Sequence, residues 1–268
     1  MRILAILLAI SASPITAHEL WLEPLDYTVN VDAMLMAQIL NGEGYSGQKL
    51  PYLPQRAARF EYTVHGETNQ ITARIGDIPA IKILNPIDGL YVLAYQAKNA
   101  VVTYADWDTF VQFTEHKDLA NILKRHSDRG LAEEAVTEVY SRYSKSLVAV
   151  GGAQGEDNRK GLLTEIVALN NPYVDDLTSG MNFQVWFDDQ PRAEAQFEVY
   201  DRAPDGTVSQ TFFRTNEEGI VTVPVEPSHT YMADAVVMRE PSSELAAETG
   251  AVWETLWANM TWAIPASQ

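Results

Sequence analysis

The sequence contains no cysteine. That excludes a disulfide framework, a thiolate metal site and a cysteine nucleophile, so any metal must be held by nitrogen and oxygen. Long apolar runs are also missing. The longest, residues 3–10, covers 8 residues, well short of the ~18 or more that a membrane-spanning helix requires. Positive charge is scarce, with 19 Lys and Arg against 36 Asp and Glu and a net charge of −17. Such a balance argues against nucleic acid and anionic lipid as partners and favours cations. There is no Gly-x-Ser-x-Gly elbow, no His-Glu-x-x-His and no Gly-x-Gly-x-x-Gly, and Gly151-Gly152 lacks the Lys-Ser/Thr of a phosphate loop. Ordinary hydrolytic and nucleotide-binding chemistry therefore has no motif to stand on. Acidic pairs such as Asp175-Asp176 and Asp188-Asp189 read as solvated turns.

What is present begins with an export signal. Arg2, the apolar run and the breaker Pro14 lead to Ile15-Thr16-Ala17, the pattern of a secretory signal peptide over residues 1–17. Cleavage after Ala17 makes His18 the first mature residue and leaves 18 basic against 36 acidic residues, a net charge of −18. A free α-amine beside an imidazole can chelate one metal ion. The amine has an unperturbed pKa near ~7.7–8.0, so a metal displaces its proton at neutral pH, and imidazole suits Cu, Ni and Zn. The mature protein is expected in the periplasm or outside the cell, with no membrane span of its own.

At 46% hydrophobic and 21% charged, the chain can build a sizeable core. Short apolar runs separated by turns predict strands from Leu20 to about Tyr104, with a β-hairpin turning at His65-Gly66. The period then lengthens. Asp106 is expected to cap a helix carrying Trp107, Phe110 and Phe113, and Asp118 to cap a second with Leu119 and Ile122, closed by Gly130. A third helix is expected to put Ala135, Val136, Val139, Tyr140, Tyr143 and Leu147 on one face, with Glu138 and Arg142 paired. Residues 151–157 are small and polar and read as a linker. Strands return after Leu162, and residues 255–264 divide cleanly into two faces as a closing strand. The expected fold is mainly β: two Ig-like β-sandwich domains with an insertion of about three helices between them. After the signal peptide, residues 18–157 form the first domain with the helices and residues 158–268 the second.

HELWLEP at 18–24, HKDL at 116–119, RHSDRGL at 125–131, YSRYSKSLVAVGG at 140–152, EIVALNNPY at 165–173, HTYMADAVVMREP at 229–241 and WETLWA at 253–258 together carry a resemblance. The chain resembles a bacterial family of exported proteins classed as a domain of unknown function and often filed as periplasmic components of nickel or cobalt uptake systems. The resemblance implies a metal ion as ligand and a membrane metal-uptake transporter as partner. Some such proteins carry a histidine in the strand where this chain has Ala235-Val236-Val237-Met238, and that ligand has no counterpart here.

His18 needs a second group to complete a metal site. His116, at the break between two helices, and His229, entering a strand after Glu226-Pro227-Ser228, are the candidate imidazoles. His65 in its hairpin turn and His126 near a helix end read as structural. Asp234 interrupts the apolar strand 231–238, where an unpaired carboxylate would cost several kcal/mol. It needs a partner, either an arginine such as Arg239 or Arg192 or a metal. Glu19 is expected to point away from His18, while Trp21, Trp253 and Trp257 read as core or sugar-stacking residues. The expected function is periplasmic binding of a divalent transition metal (Ni, Co or Cu) through His18, His116, His229 and Asp234. The alternatives are a copper histidine-brace oxidase or monooxygenase, and an adhesion or carbohydrate-binding module.

Overall fold

Runs of β-branched and aromatic residues broken by turns make this a mainly β protein. A computed structural model describes residues 18–119 and 121–266, and the expected signal peptide lies outside them. The first elements are β1 (Glu19–Pro24), β2 (Thr28–Val29), β3 (Leu35–Glu43), β4 (Ser46–Leu50), β5 (Ala57–Val64), β6 (Glu67–Gln70), β7 (Ile81–Ile83), β8 (Gly89–Ala97) and β9 (Ala100–Thr103). Helices α1 (Trp107–His116) and α2 (Ile122–Asp128) follow, then the long strand β10 (Thr137–Val150). The remainder comprises β11 (Thr164–Ala168), β12 (Met181–Phe187), β13 (Gln190–Pro191), β14 (Gln196–Arg202), β15 (Val208–Arg214), β16 (Ile220–Val223), β17 (Thr230–Arg239), α3 (Ser243–Thr249) and β18 (Trp253–Ala263).

Ten strands join in one sheet, in the order β15-β14-β17-β18-β10-β8-β5-β6, with β2 and β9 also paired to β10. It takes strands from both sides of the expected 157/158 boundary. The seam between them is β10 against β18, a parallel pairing that runs from Glu138↔Trp253 to Ser146↔Thr261. Strands β1, β3, β4 and β7 form a second sheet, and β11, β12, β13 and β16 a third.

Alternation along the strands of the large sheet sends successive side chains to opposite faces. On one face Leu90, Val92, Leu147, Phe197, Ala233, Ala258 and Trp262 pack against Ile166, Met181, Phe183 and Val221 of the third sheet. On the other, Tyr91, Leu93, Val148 and Val150 pack against Leu20, Leu22, Leu35 and Ile39 of the second. Beside that contact, Val236, Met238, Trp253 and Trp257 pack against Phe110, Phe113 and Ile122 of the helices. The second sheet and the helices therefore share one face of the large sheet, and the gap between them is where polar groups collect.

The expected third helix is instead β10. Its residues 143–150 are all buried, because the strand lies in the middle of the sheet and is covered on both sides. A strand buried on both faces loses its apolar/polar alternation, so its apolar spacing also satisfies a helical period. Glu138 and Arg142 are then strand neighbours on one face, not a helical pair. Locally encoded features agree with the sequence. Asp106 accepts from the Thr109 amide at 2.7 Å and caps α1. His65 and Gly66 both have positive φ, 51° and 78°, as a two-residue hairpin turn requires. The expected cap at Asp118 does not form: Asn121 precedes α2, and Asp118 instead pairs with Arg214. Within residues 151–157, Asp157 is buried and accepts from Lys145 Nζ at 2.7 Å and from the Ala168 amide at 3.0 Å, which ties this connection to β10 and β11.

Candidate functional site

The polar gap is built around Lys117, which caps the C-terminal end of α1 with its amide bonded to the Phe113 carbonyl. The side chain is 4% exposed and its ammonium donates to three carboxylates from three strands. These are Glu19 Oε1 of β1 at 3.0 Å, Glu198 Oε2 of β14 at 2.5 Å and Asp234 Oδ2 of β17 at 2.9 Å. Glu198 and Asp234 are register partners, and Asp234 faces Asn259 of β18, so the polar row follows from strand pairing alone. The three acids have carboxylate oxygens within 4.8 Å of one another. Packing so much like charge is tolerable only because a cation sits among them. The Lys117 ammonium also lies 4.9 Å over the Trp257 ring, a further favourable contact for a desolvated cation.

Burial and proximity divide the acids. Asp234 is pushed up to about 7, by burial first and then by the charges of Glu19 and Glu198, with Lys117 opposing. Burial also acts to raise Glu198, but the hydrogen bond from His116 and the charge of Lys117 outweigh it and hold Glu198 at about 2. Burial alone would lower Lys117, yet the three carboxylates raise it well above the ordinary lysine value. Lys117 thus holds the three carboxylates together as one buried ionic group. Tyr200 completes it by donating to Glu198 Oε1 at 2.6 Å, and Gln210 donates to the same oxygen.

Glu19, Lys117, Tyr200 and Gln210 of this group line a cleft of about 440 Å³, together with His18, Gln112, Phe113, His116 and Trp257 among others. His18 is fixed at its backbone, where the carbonyl accepts from Arg142 Nε at 2.9 Å. The next two carbonyls are held as well, Glu19 by Asn41 Nδ2 at 2.8 Å and Leu20 by Ser144 Oγ at 2.5 Å. His116 is half exposed, and its Nε2 meets Glu198 Oε1 at 3.1 Å. That bond raises His116 above its ordinary value. When the ring is neutral and Nε2–H donates to the carboxylate, Nδ1 carries the lone pair. A carboxylate holding one ring nitrogen of a histidine is the usual arrangement when the other nitrogen binds a metal.

Of the four expected ligands, His18 and His116 share this cleft and Asp234 lies beneath it. His229 does not join them: its Nδ1 pairs with Asp201 Oδ1 at 2.6 Å and its ring stacks on Tyr231. The partner of Asp234 is Lys117 rather than an arginine, and Arg239 is committed to Glu254 at 2.6 Å. Glu19 does not point away from His18's surroundings but lines the same cleft. His126 is a core histidine, accepting from Trp253 Nε1 at 3.1 Å and donating to the Ala132 carbonyl at 3.0 Å. Trp21, Trp253 and Trp257 are core residues.

The residues that sequence reasoning missed are Lys117, Glu198, Tyr200 and Gln210. Glu198 gave a usable signal. It interrupts Phe197-Glu198-Val199-Tyr200 just as Asp234 interrupts its own strand, and a carboxylate inside an apolar run needs a cation.

No curated protein matches the chain. One solved structure, described as a crystal structure of a tetra-tandem repeat in the extending region of a large adhesion protein, is similar at 10% identity with a TM-score of 0.23. The alignment covers 92% of this chain and 49% of that one; this chain thus spans about half of its length, and at so low a score the likeness informs neither fold nor function. The family comparison is informative, because its match runs from the end of the expected signal peptide to the end of β17. On residues 15–239, the chain belongs to the family described as Domain of unknown function (DUF4198).

Proposed function

We propose that this chain is an exported transition-metal-binding protein, linked to the uptake or handling of Ni, Co or Cu, in which the mature N-terminal His18 and His116 supply the nitrogen ligands. The observation that carries this reading is His116, whose Nε2 is taken by the buried Glu198 while its ring lines the same cleft as His18. The donor chemistry suits the group. Two imidazoles and an α-amine are borderline ligands of the kind such ions take in a chain without thiolate. Glu198, Tyr200, Gln210 and Lys117 would orient His116 and settle its tautomer. Asp234 and Glu19, bound to Lys117, would lower the potential of the cleft and attract a cation. Arg142 fixes the backbone that presents His18. The family resemblance and the net charge of −17 point the same way.

The test is titration of correctly processed protein with Ni, Co, Cu and Zn, beside a version with one extra glycine before His18 and the variant His116→Ala. Binding at about micromolar or tighter, weakened at least tenfold by either change, is the expected result. Equal affinity for the glycine-extended protein would overturn the chelate, and equal affinity for His116→Ala would remove His116 from the site.

A further inference from the structure

A second cleft, about 520 Å³, lies between the β5–β6 hairpin and the connection that follows residue 154, and it is lined by Arg59, Arg159 and Lys160. Three cations around one cavity are unexpected in a chain of net charge −17. We propose that this cleft binds a small oxyanion carrying two or more negative charges, of the di- or tricarboxylate kind.

Two of the cations are already held in place. Arg59 donates through Nη1 to the Lys160 carbonyl at 2.8 Å and through Nη2 to Glu61. Arg159 donates to Asp189 Oδ1 at 2.6 Å, its guanidinium lies 4.3 Å over the Trp186 ring, and its buried Nε has no partner among the described residues. Guanidinium groups fixed in this way lose little freedom on meeting a carboxylate. Lys160 is the third. It is half-buried, and no carboxylate lies within 4.0 Å of its ammonium among the described residues. Every other lysine described is either exposed or ion-paired, as Lys117 and Lys145 are. Burial accordingly lowers Lys160 below the ordinary lysine value, with Asp157 opposing.

An anion in the cleft would give that ammonium the partner it lacks. The Thr63 and Thr68 hydroxyls, bonded to each other at 3.0 Å on the hairpin, leave one O–H free as a neutral donor in the same lining. The volume lies within the ~300–1,000 Å³ range of small-molecule sites. Glu156 is the one carboxylate in the lining and engages Asn158 Nδ2 at 3.3 Å; Glu61 and Asp189 pair with the two arginines from outside it, so Lys160 is the cation that an anion would complete. The site is separate from the cleft of His18 and His116 and shares no lining residue with it.

The experiment is calorimetric titration of the processed, EDTA-treated protein with citrate and, in a separate arm, inorganic phosphate at low salt. Citrate is expected to bind more tightly than about 1 mM, and Lys160→Gln to weaken it about tenfold or more. Lys160→Arg should retain most of the affinity, while His116→Ala and the exposed Lys124→Gln should leave it unchanged. Should Lys160→Gln fold poorly, a rise in the melting temperature of the unaltered protein with citrate, absent in a correctly folded Arg159→Ala variant, serves the same purpose. Phosphate binding as well as citrate, with the same loss on substitution, supports an oxyanion site of broader choice. The proposal is overturned if neither anion binds by about 1 mM, or if Lys124→Gln weakens binding as much as Lys160→Gln.

Discussion

Lys117 is the residue on which the acidic cluster beneath the cleft depends, because one ammonium neutralises carboxylates from β1, β14 and β17. Removing a partner from a buried ion cluster typically costs about 3–5 kcal/mol, since the charges left behind are neither solvated nor paired. Lys117→Met is expected to lose stability in that range in urea unfolding at neutral pH. Adding Asp234→Asn should recover part of the loss, because one of three mutually repelling acids is then neutral. A Lys117→Met midpoint equal to that of the unaltered protein would show that the cluster contributes nothing to stability. The sequence announced the need of Asp234 for a partner, through a carboxylate set in an apolar strand. It could not announce the partner, because Lys117 lies 117 positions away and meets Asp234 only through the packing of α1 on the large sheet. The sharing of one cleft by His18 and His116 was half legible: the expected signal peptide singled out His18, while His116 and His229 stood as equal candidates in the sequence.

Features decided within a few residues were readable at the scale of the element. The Asp106 cap and the His65-Gly66 turn depend on near neighbours, and both formed as expected. Strand β10 was misread because β8, β9 and β18 pair with it along both edges while the second and third sheets cover its two faces. That position also explains Glu138, which is fully buried on β10 and accepts from Tyr104 at 2.6 Å through Oε2, while Oε1 has no partner among the described residues. Burial pushes Glu138 up to about 7, against the hydrogen bond from Tyr104. Its value in the unfolded chain is ~4.3, so between these limits the folded state keeps a proton that the unfolded state releases. The folded state binds more protons there, and stability falls as pH rises through the window. Glu138→Gln, which cannot ionise, should remove this fall. Its stability relative to the unaltered protein is expected to rise by a few kcal/mol between about pH 4.5 and about pH 7.5 and then level off. Denaturant unfolding across that range is the measurement, and a difference independent of pH would sink the assignment.

For the whole molecule, the consequence of the shared sheet is cooperativity. The core on one face mixes Leu90, Val92 and Leu147 with Phe183, Phe197, Met260 and Trp262. The parallel pairing of β10 with β18 joins the middle of the chain to its last strand, and Lys117 bridges β1 to β14 and β17. A cut at residue 157 would strip β10 of β18 and expose the apolar residues that the third sheet covers, so residues 18–157 are not expected to fold alone. The processed chain should unfold in a single transition although its length would accommodate two ordinary domains. Fully buried tryptophans lie at both ends of the described chain, Trp21 in β1 and Trp253 and Trp262 in β18, so fluorescence reports loss of packing in both regions. Its midpoint in urea is expected to coincide with that of far-ultraviolet circular dichroism, and calorimetry should give equal calorimetric and van't Hoff enthalpies. Two resolved transitions, or a fragment of residues 18–157 with a cooperative melt of its own, would mean that the seam between β10 and β18 couples the two halves too weakly to make them one folding unit.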